Sequence, residues 1–200
     1  MEVYEAIKGR RSIRKYLDKP VEREKIEQII EAGLWAPTGQ NNQPVLFIVV
    51  TNRELIDEIY AEIYAIGRVF KRMRSIVALF GKEMRGEGGR RVFKSLHDNG
   101  LYKAPVVIMA GAQRRSSATY MKDCSLATQN MMLAAHALGL GTCYIGWVRL
   151  LNYSINRKLM RRLSLPKGFE ICDAIILGYP ALSPQPPKRK TVAETTMWVQ

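Results

Sequence analysis

Apolar residues in this chain recur with two different periods. In "VEREKIEQIIEAGLWAP", residues 21–37, Ile26, Ile29, Ile30 and Leu34 lie three or four positions apart with charges between them. That period predicts an amphipathic helix ended by Pro37. "RELIDEIYAEIYAIG", residues 53–67, repeats the pattern with Leu55, Ile59 and Ile63. "VLFIVV" at 45–50 and "PVVIMAG" at 105–111 are instead continuous apolar runs of strand length, rich in branched residues, and predict buried strands. Two more strands are expected in "GTCYIGWV" at 141–148 and "EICDAIILGYP" at 170–180, with a helix over 152–163 between them and a short helix over 2–9.

Residues 119–138 predict a helix of another kind. Leu126, Ala127, Met131, Met132, Leu133, Ala134, Ala135 and Ala137 make it small or apolar nearly all round. Such a helix has to be covered on every side, which a chain of 200 residues does with difficulty. A partner subunit is expected. Helices and strands mix without the regular alternation of a doubly wound sheet, so the fold class is α+β, in layers. The length fits one domain over 1–200. Within it, 66–100 is basic, punctuated by glycine and weakly periodic, an excursion from the core. The tail from Pro180 is rich in Pro, Lys and Arg.

Charge raises the first functional question. Lys plus Arg number 31 against 18 for Asp plus Glu, a net +13. Two basic clusters stand out, "RRSIRKY" at 10–16 and "PPKRK" at 186–190. A nucleic-acid backbone or a single phosphate on a small cofactor could need both. The first reading finds no zinc-finger spacing, no RNA-binding signature and no heptads behind a basic region. Cys124, Cys143 and Cys172 are widely spaced, and with only His97 and His136 no zinc site can be assembled. No metal is expected. Three buried thiols suit a reducing compartment, the cytoplasm. No apolar signal region is visible at the start, and the longest apolar stretch, 130–140, is far short of the ~20 residues that span a bilayer.

The glycine-rich stretches are not phosphate loops. "GLGTCYIG" lacks the dinucleotide spacing and precedes a strand rather than following one, and "GEGGR" lacks the ending of a P-loop. "APTGQNNQPV" at 36–45 is more suggestive. It joins a helix to a strand and is dense in amides, whose mixed donors and acceptors suit the edge of a flat heterocycle.

These segments occur in register: "RRSIRKY", then "APTGQNNQPV", then "LGLGTCYIGW", then "LGYP…PPKRK". Together they resemble the nitroreductase family of flavin mononucleotide (FMN) oxidoreductases over almost the whole chain except 66–100. The resemblance implies a three-layer α+β fold with a mainly antiparallel sheet and an intertwined homodimer, with two FMN sites at the subunit interface. It implies that Arg10, Arg11 and Ser12 hold the phosphate and ribityl chain, that Arg14 approaches the N1–C2 carbonyl edge, and that Arg189, with Lys188 or Lys190, returns to the phosphate. Tyr144, Ile145, Gly146 and Trp147 would pass the ring. Pro37, Thr38, Gly39 and Asn41 would line it from the other subunit. Residues 180–200 would form an arm reaching the partner, and 66–100 a lid.

The implied activity passes hydride from NADH or NADPH through flavin N5 to a nitroaromatic, quinone or similar small acceptor by a ping-pong cycle. No side-chain acid or base is identified, and neither nucleic acid nor membrane is expected as a partner. The alternatives are a basic nucleic-acid binder or, within the family, a reductive dehalogenase or a flavin-consuming biosynthetic enzyme. Two positions depart from the family pattern: Val45, where Trp often stands, and Trp147, where a second Gly often stands.

Overall fold

The computed structural model describes residues 1–72 and 101–199. Four strands, β1 (Leu46–Val50), β2 (Val106–Gln113), β3 (Gly141–Tyr144) and β4 (Phe169–Gly178), form one sheet in the order β1-β2-β4-β3. All three pairings are antiparallel. Helices α1 (Val3–Gly9), α2 (Arg23–Leu34), α3 (Arg53–Arg72), α4 (Tyr120–Ala137) and α5 (Arg157–Arg162) surround it.

Strand alternation sorts the core into two layers. Val107 and Met109 of β2 join Ala174 and Ile176 of β4 on one face, under Ile56, Ile59 and Ile63 of α3 and Leu159 of α5. Val106, Ile108, Ile175 and Leu177 face the other way, against Ile26 and Ile29 of α2 and Met131, Met132 and Ala135 of α4. The result is helices, sheet, helices, an α+β fold in three layers. The parity breaks once. Ala110 pairs with Asp173 but Gly111 with Ile171, so Cys172 is an extra residue in a bulge. Ile171 therefore packs on the α3 side, while Cys172 turns to Cys124 on α4.

Three elements differ from their sequence-based expectation. The strand expected over 141–148 stops at Tyr144, because Gly146–Tyr153 coils into a 3-10 helix. Its three-residue turn puts Val148 and Leu151 together on the α3 face. The helix expected over 152–163 is confined to Arg157–Arg162. Asn152 is drawn away: its amide donates to the Ile171 carbonyl at 2.8 Å and accepts from the Ile171 N–H at 2.9 Å. Ser154 donates to Glu62 at 2.6 Å. Asn156 caps the shortened helix, accepting from the Leu159 N–H at 3.1 Å. At α3 the difference runs the other way. The helix continues to Arg72, taking in the first residues of the expected excursion. The rest of the region assigned to a lid, from residue 73 to 100, lies outside the described residues.

Within one chain α4 is not covered all round. Asp123, Cys124, Ala127, Thr128, Met131, Met132 and Ala135 are buried, yet Met121 and Leu126 are over 40% exposed. Among the described residues no helix is long and apolar enough to cross a membrane.

Candidate functional site

The basic segment after α1 lies along the edge of the sheet at β3. Ser12 forms a parallel bridge with Thr142, and the Ile13 N–H donates to the Thr142 carbonyl at 2.8 Å. The approach is close because position 141 is glycine. A Cβ there would lie 2.6–2.9 Å from three side-chain atoms of buried Ile13. Gly141→Ala should therefore push the segment carrying Ser12 and Arg14 off β3 and cost about 1–3 kcal/mol. Urea unfolding measures it, and an unchanged midpoint would show that the segment shifts freely.

The C-terminal arm begins beside the same segment. The Leu17 N–H donates to the Tyr179 carbonyl at 2.9 Å, and the Ala181 N–H to the Lys15 carbonyl at 3.0 Å. From there the arm brings Arg189 within electrostatic range of Arg10. Burial first, then Arg11 and Arg189, lower the Arg10 pKa. Arg10 thus feels guanidinium groups from opposite ends of the chain. Arg11 donates to the carbonyls of Lys8 and Arg10 at 2.6 and 2.8 Å. Its Nε, and the Oγ1 of Thr142, are buried without a hydrogen-bond partner among the described residues. A buried polar atom left unpaired is costly, and an unpaired guanidinium donor and an unpaired hydroxyl in a positively charged segment fit a phosphate monoester and a polyol.

Arg14 is exposed, its guanidinium 5.9 Å from the centre of the Tyr102 ring. Cys143 lies beneath it. Burial pushes this thiol up, against Arg14, a hydrogen bond with Ser12 and Arg10. At the end of β3, Tyr144 is half exposed and its hydroxyl donates to Asp173, which also accepts from Ser125 at 2.7 Å. Strand alternation from Ala174 sets Asp173 on this α4 side. Burial, then this hydrogen bond, raise the Tyr144 pKa. The Ile145 N–H donates to the Ala174 carbonyl at 2.8 Å, extending the ladder one residue. Trp147, the first departure of note, packs its half-buried side chain against the core on the α3 face. Val45, the second, packs against the cluster around Cys124 and Cys172.

The amide-rich loop sits elsewhere. Gly39–Asn41 is a single 3-10 turn, and Gln40, Asn41 and Gln43 all take left-handed φ of 45–54°. Amide side chains tolerate that region better than branched ones. Thr38 Oγ1 accepts from the Gln43 N–H at 3.0 Å, and Asn41 accepts from the Gln43 side chain at 3.2 Å. The turn is pinned to the start of α4: the Gly39 N–H donates to buried Asp123 at 3.4 Å, and a Cβ on Gly39 would lie 2.3 Å from Thr119 Oγ1. Pro37 beside it is exposed. The basic segment meets the opposite end of α4, where His136 touches Gly9. Asp123 and Thr119 stand about 20–25 Å from His136 along the helix, at 1.5 Å per residue. One chain therefore assembles Arg10, Arg11, Ser12, Arg14, Tyr144–Trp147 and Arg189 in one region, and holds Pro37, Thr38, Gly39 and Asn41 apart from them.

Thr142, Asp123, Asp173 and His136 were not singled out by sequence. Only His136 carried a signal, as an imidazole in an otherwise apolar helix end. Among the described residues no group of His, Cys, Asp and Glu could hold a metal ion.

A sequence model described as the nitroreductase family matches residues 7–179. The chain belongs to the nitroreductase family. A relative from Methanothermobacter thermautotrophicus, provisionally named NADH dehydrogenase/NAD(P)H nitroreductase, is 34% identical, the match covering 92% of this chain and 80% of that protein. A nitroreductase with bound FMN from Bacteroides fragilis superposes with a TM-score of 0.78 at 24% identity over the whole of both chains, a likeness of fold. An FMN-dependent nitroreductase from Clostridium difficile R20291 is 26% identical with a TM-score of 0.69, covering 98% of this chain and 99% of that one. Nitroreductase membership spans the basic segment, the amide loop and β3 alike, and stops just short of the arm that carries Arg189.

Proposed function

We propose that the protein is an FMN-dependent NAD(P)H oxidoreductase acting on a small acceptor such as a nitroaromatic or quinone. The observation that carries this reading is Arg10 held within electrostatic range of both Arg11 and Arg189, on a segment bridged to Thr142, where Arg11 Nε and Thr142 Oγ1 are buried without partners among the described residues. Bound FMN would supply the redox chemistry, taking hydride from the nicotinamide at N5 and giving electrons to the acceptor in a ping-pong cycle.

The protein's own residues would bind and tune. Arg10, Arg11 and Arg189, with Lys188 or Lys190, would hold the phosphate, their fork geometry matching its oxygens. Ser12 and Thr142 would take the ribityl chain. Arg14 would sit at the N1–C2 edge, where a fixed cation favours the negative charge of the reduced ring. Tyr144, Ile145, Gly146 and Trp147 would flank the ring, with Tyr144 anchored on Asp173. Pro37, Thr38, Gly39 and Asn41 would come from a second copy of the chain. A two-fold partner with its α4 antiparallel would bring its amide loop to the basic segment of the first. Exposed Met121, Leu126, Trp35, Met197, Trp198 and Val199 supply the apolar surface for that contact. The arm from 180 would extend over the partner, and three free buried cysteines suit the cytoplasm.

The purified full-length protein should be yellow, and acid precipitation should release FMN at about one per chain. NADH or NADPH should bleach the colour anaerobically, and a quinone or nitroaromatic should restore it. A colourless protein that takes up no added FMN would overturn the reading.

A further inference from the structure

His136 lies in the last turn of α4, against the start of the basic segment. A Cβ built on Gly9 would stand 2.6 Å from its Nε2, so the imidazole occupies the space that a side chain at position 9 would need. Arg10 and Arg11 follow directly, with Arg11 folded back onto the carbonyls of Lys8 and Arg10. Both guanidinium groups act on the imidazole, and Arg10 is in turn within range of Arg189. The flavin-binding roles assigned above leave this histidine unused.

We propose that His136 belongs to the phosphate site and takes up a proton when the phosphate of FMN binds. The inference rests on the FMN reading. In the flavin-free protein, burial and then Arg10 and Arg11 hold His136 below its ordinary value, so it is neutral near pH 7. Among the described residues the charges that act on it, Arg10 and Arg11, are both positive. On α1, the Lys8 ammonium lies 5.9 Å from the centre of the Tyr4 ring, and the Glu5 carboxylate is engaged with the Glu2 N–H at 3.2 Å. A phosphate monoester brings about −1.5 to −2 charges into this cluster. The balance at the imidazole then reverses and its pKa rises.

The sign of the linkage follows. The bound state holds more protons on His136 than the free state. Its contribution to FMN affinity is complete below the free-state pKa and is lost as pH rises through the bound-state pKa. The phosphate works in the opposite direction. Its second ionisation, at about 6, is favoured by the cations and releases protons on binding. The contribution of His136 is therefore the difference between the wild type and a variant without the imidazole.

Calorimetric titration of FMN into flavin-stripped, full-length protein in two buffers of different ionisation enthalpy counts protons exchanged. At pH 6.5 the wild type should take up about half a proton more per FMN than His136→Gln. Its advantage in Kd over the variant should grow roughly three- to tenfold from pH 8 to pH 6. Riboflavin, which lacks the phosphate, should abolish both differences. Equal proton counts for the two proteins with FMN, or the same difference with riboflavin, would overturn the proposal. Should the variant fail to fold, the wild type answers alone. The chain has two histidines, His97 and His136, and His97→Gln assigns their ring resonances. The His136 resonance should titrate at higher pH with FMN than without, and an unmoved midpoint overturns the proposal. A wild type that binds no FMN sinks the flavin reading itself, whereas FMN binding without the proton difference sinks only the role of His136.

Discussion

Arg10→Met should weaken FMN binding by roughly 10- to 100-fold, the loss of one charge-assisted phosphate contact. The same change should raise the melting temperature of the flavin-free protein by about 1–3 °C. The two effects share a cause. Without an anion, Arg10 is partly desolvated and faces Arg11 and Arg189, and each of these lowers its pKa. Methionine keeps the apolar stem and removes the charge. Binding energy is held in the folded protein as like-charge crowding that an anion relieves. Fluorescence titration with FMN and thermal melts of stripped protein read the two quantities separately. Weaker binding with an equally weakened apo-protein would point to Arg10 as a packing residue. An unchanged Kd would remove it from the phosphate site.

Truncation after Ala181 is the second large effect expected. It should cost FMN retention and self-association together while leaving the secondary structure of the remaining chain intact. Among the described residues, the last backbone hydrogen bond of the arm to the rest of its own chain is the Ala181 N–H to the Lys15 carbonyl. Beyond it Pro184 is half-buried, and every other described residue is exposed. The arm's remaining hydrogen bonds are local, as where Thr191 and Thr195 tie one turn with Glu194. Met197, Trp198 and Val199 are 93%, 81% and 95% exposed, apolar area that gains nothing until something covers it. Removing the arm therefore takes little from the core of one chain, and it takes Arg189 from the proposed phosphate site. Sedimentation should show the single-chain mass in place of twice that mass, with FMN affinity down by about 100-fold or more, since a phosphate ligand and the second half of the site go together. Circular dichroism should change little. A truncated protein that remains yellow and dimeric would show that the arm serves neither purpose.

The sequence made some of this architecture legible and hid the rest for identifiable reasons. Continuous apolar runs located β1 and β2, and the spacing of Ile26, Ile29 and Ile30 located α2, because burial on one face imposes a period. The segment 146–153 obeys no such simple rule. Its apolar residues continue those of β3, and only the three-residue turn that places Val148 beside Leu151 separates coil from strand. Asn152 and Ser154 read as ordinary helix-start residues, but their side chains are spent on Ile171 and Glu62, partners 19 and 92 positions away. The bulge at Cys172 left no trace in composition. Among the candidate residues, Arg10, Arg11, Arg14 and Arg189 stand out in the sequence because they are clustered and charged, and the fold brings Arg189 within range of Arg10. Thr142 and Asp123 do not stand out, since a threonine in a strand and an aspartate at a helix start have ordinary structural uses. Their significance arises from what the fold sets beside them.

The length of α4 has a consequence for how the protein can be damaged and repaired. With the basic segment at one end and the amide loop at the other, a chain carries two unlike halves of the proposed site and cannot join them to each other. In the proposed pair of chains, each flavin would draw on the head of one copy and the foot of the other. A chain disabled at Arg10 and a chain disabled at Gly39 would then be defective in different halves. Combined in one dimer, they would put both defects into a single site and leave the opposite site whole. The smallest working unit would be neither one chain nor one pair, but two halves borrowed across a boundary, and two inactive proteins could add up to an active one.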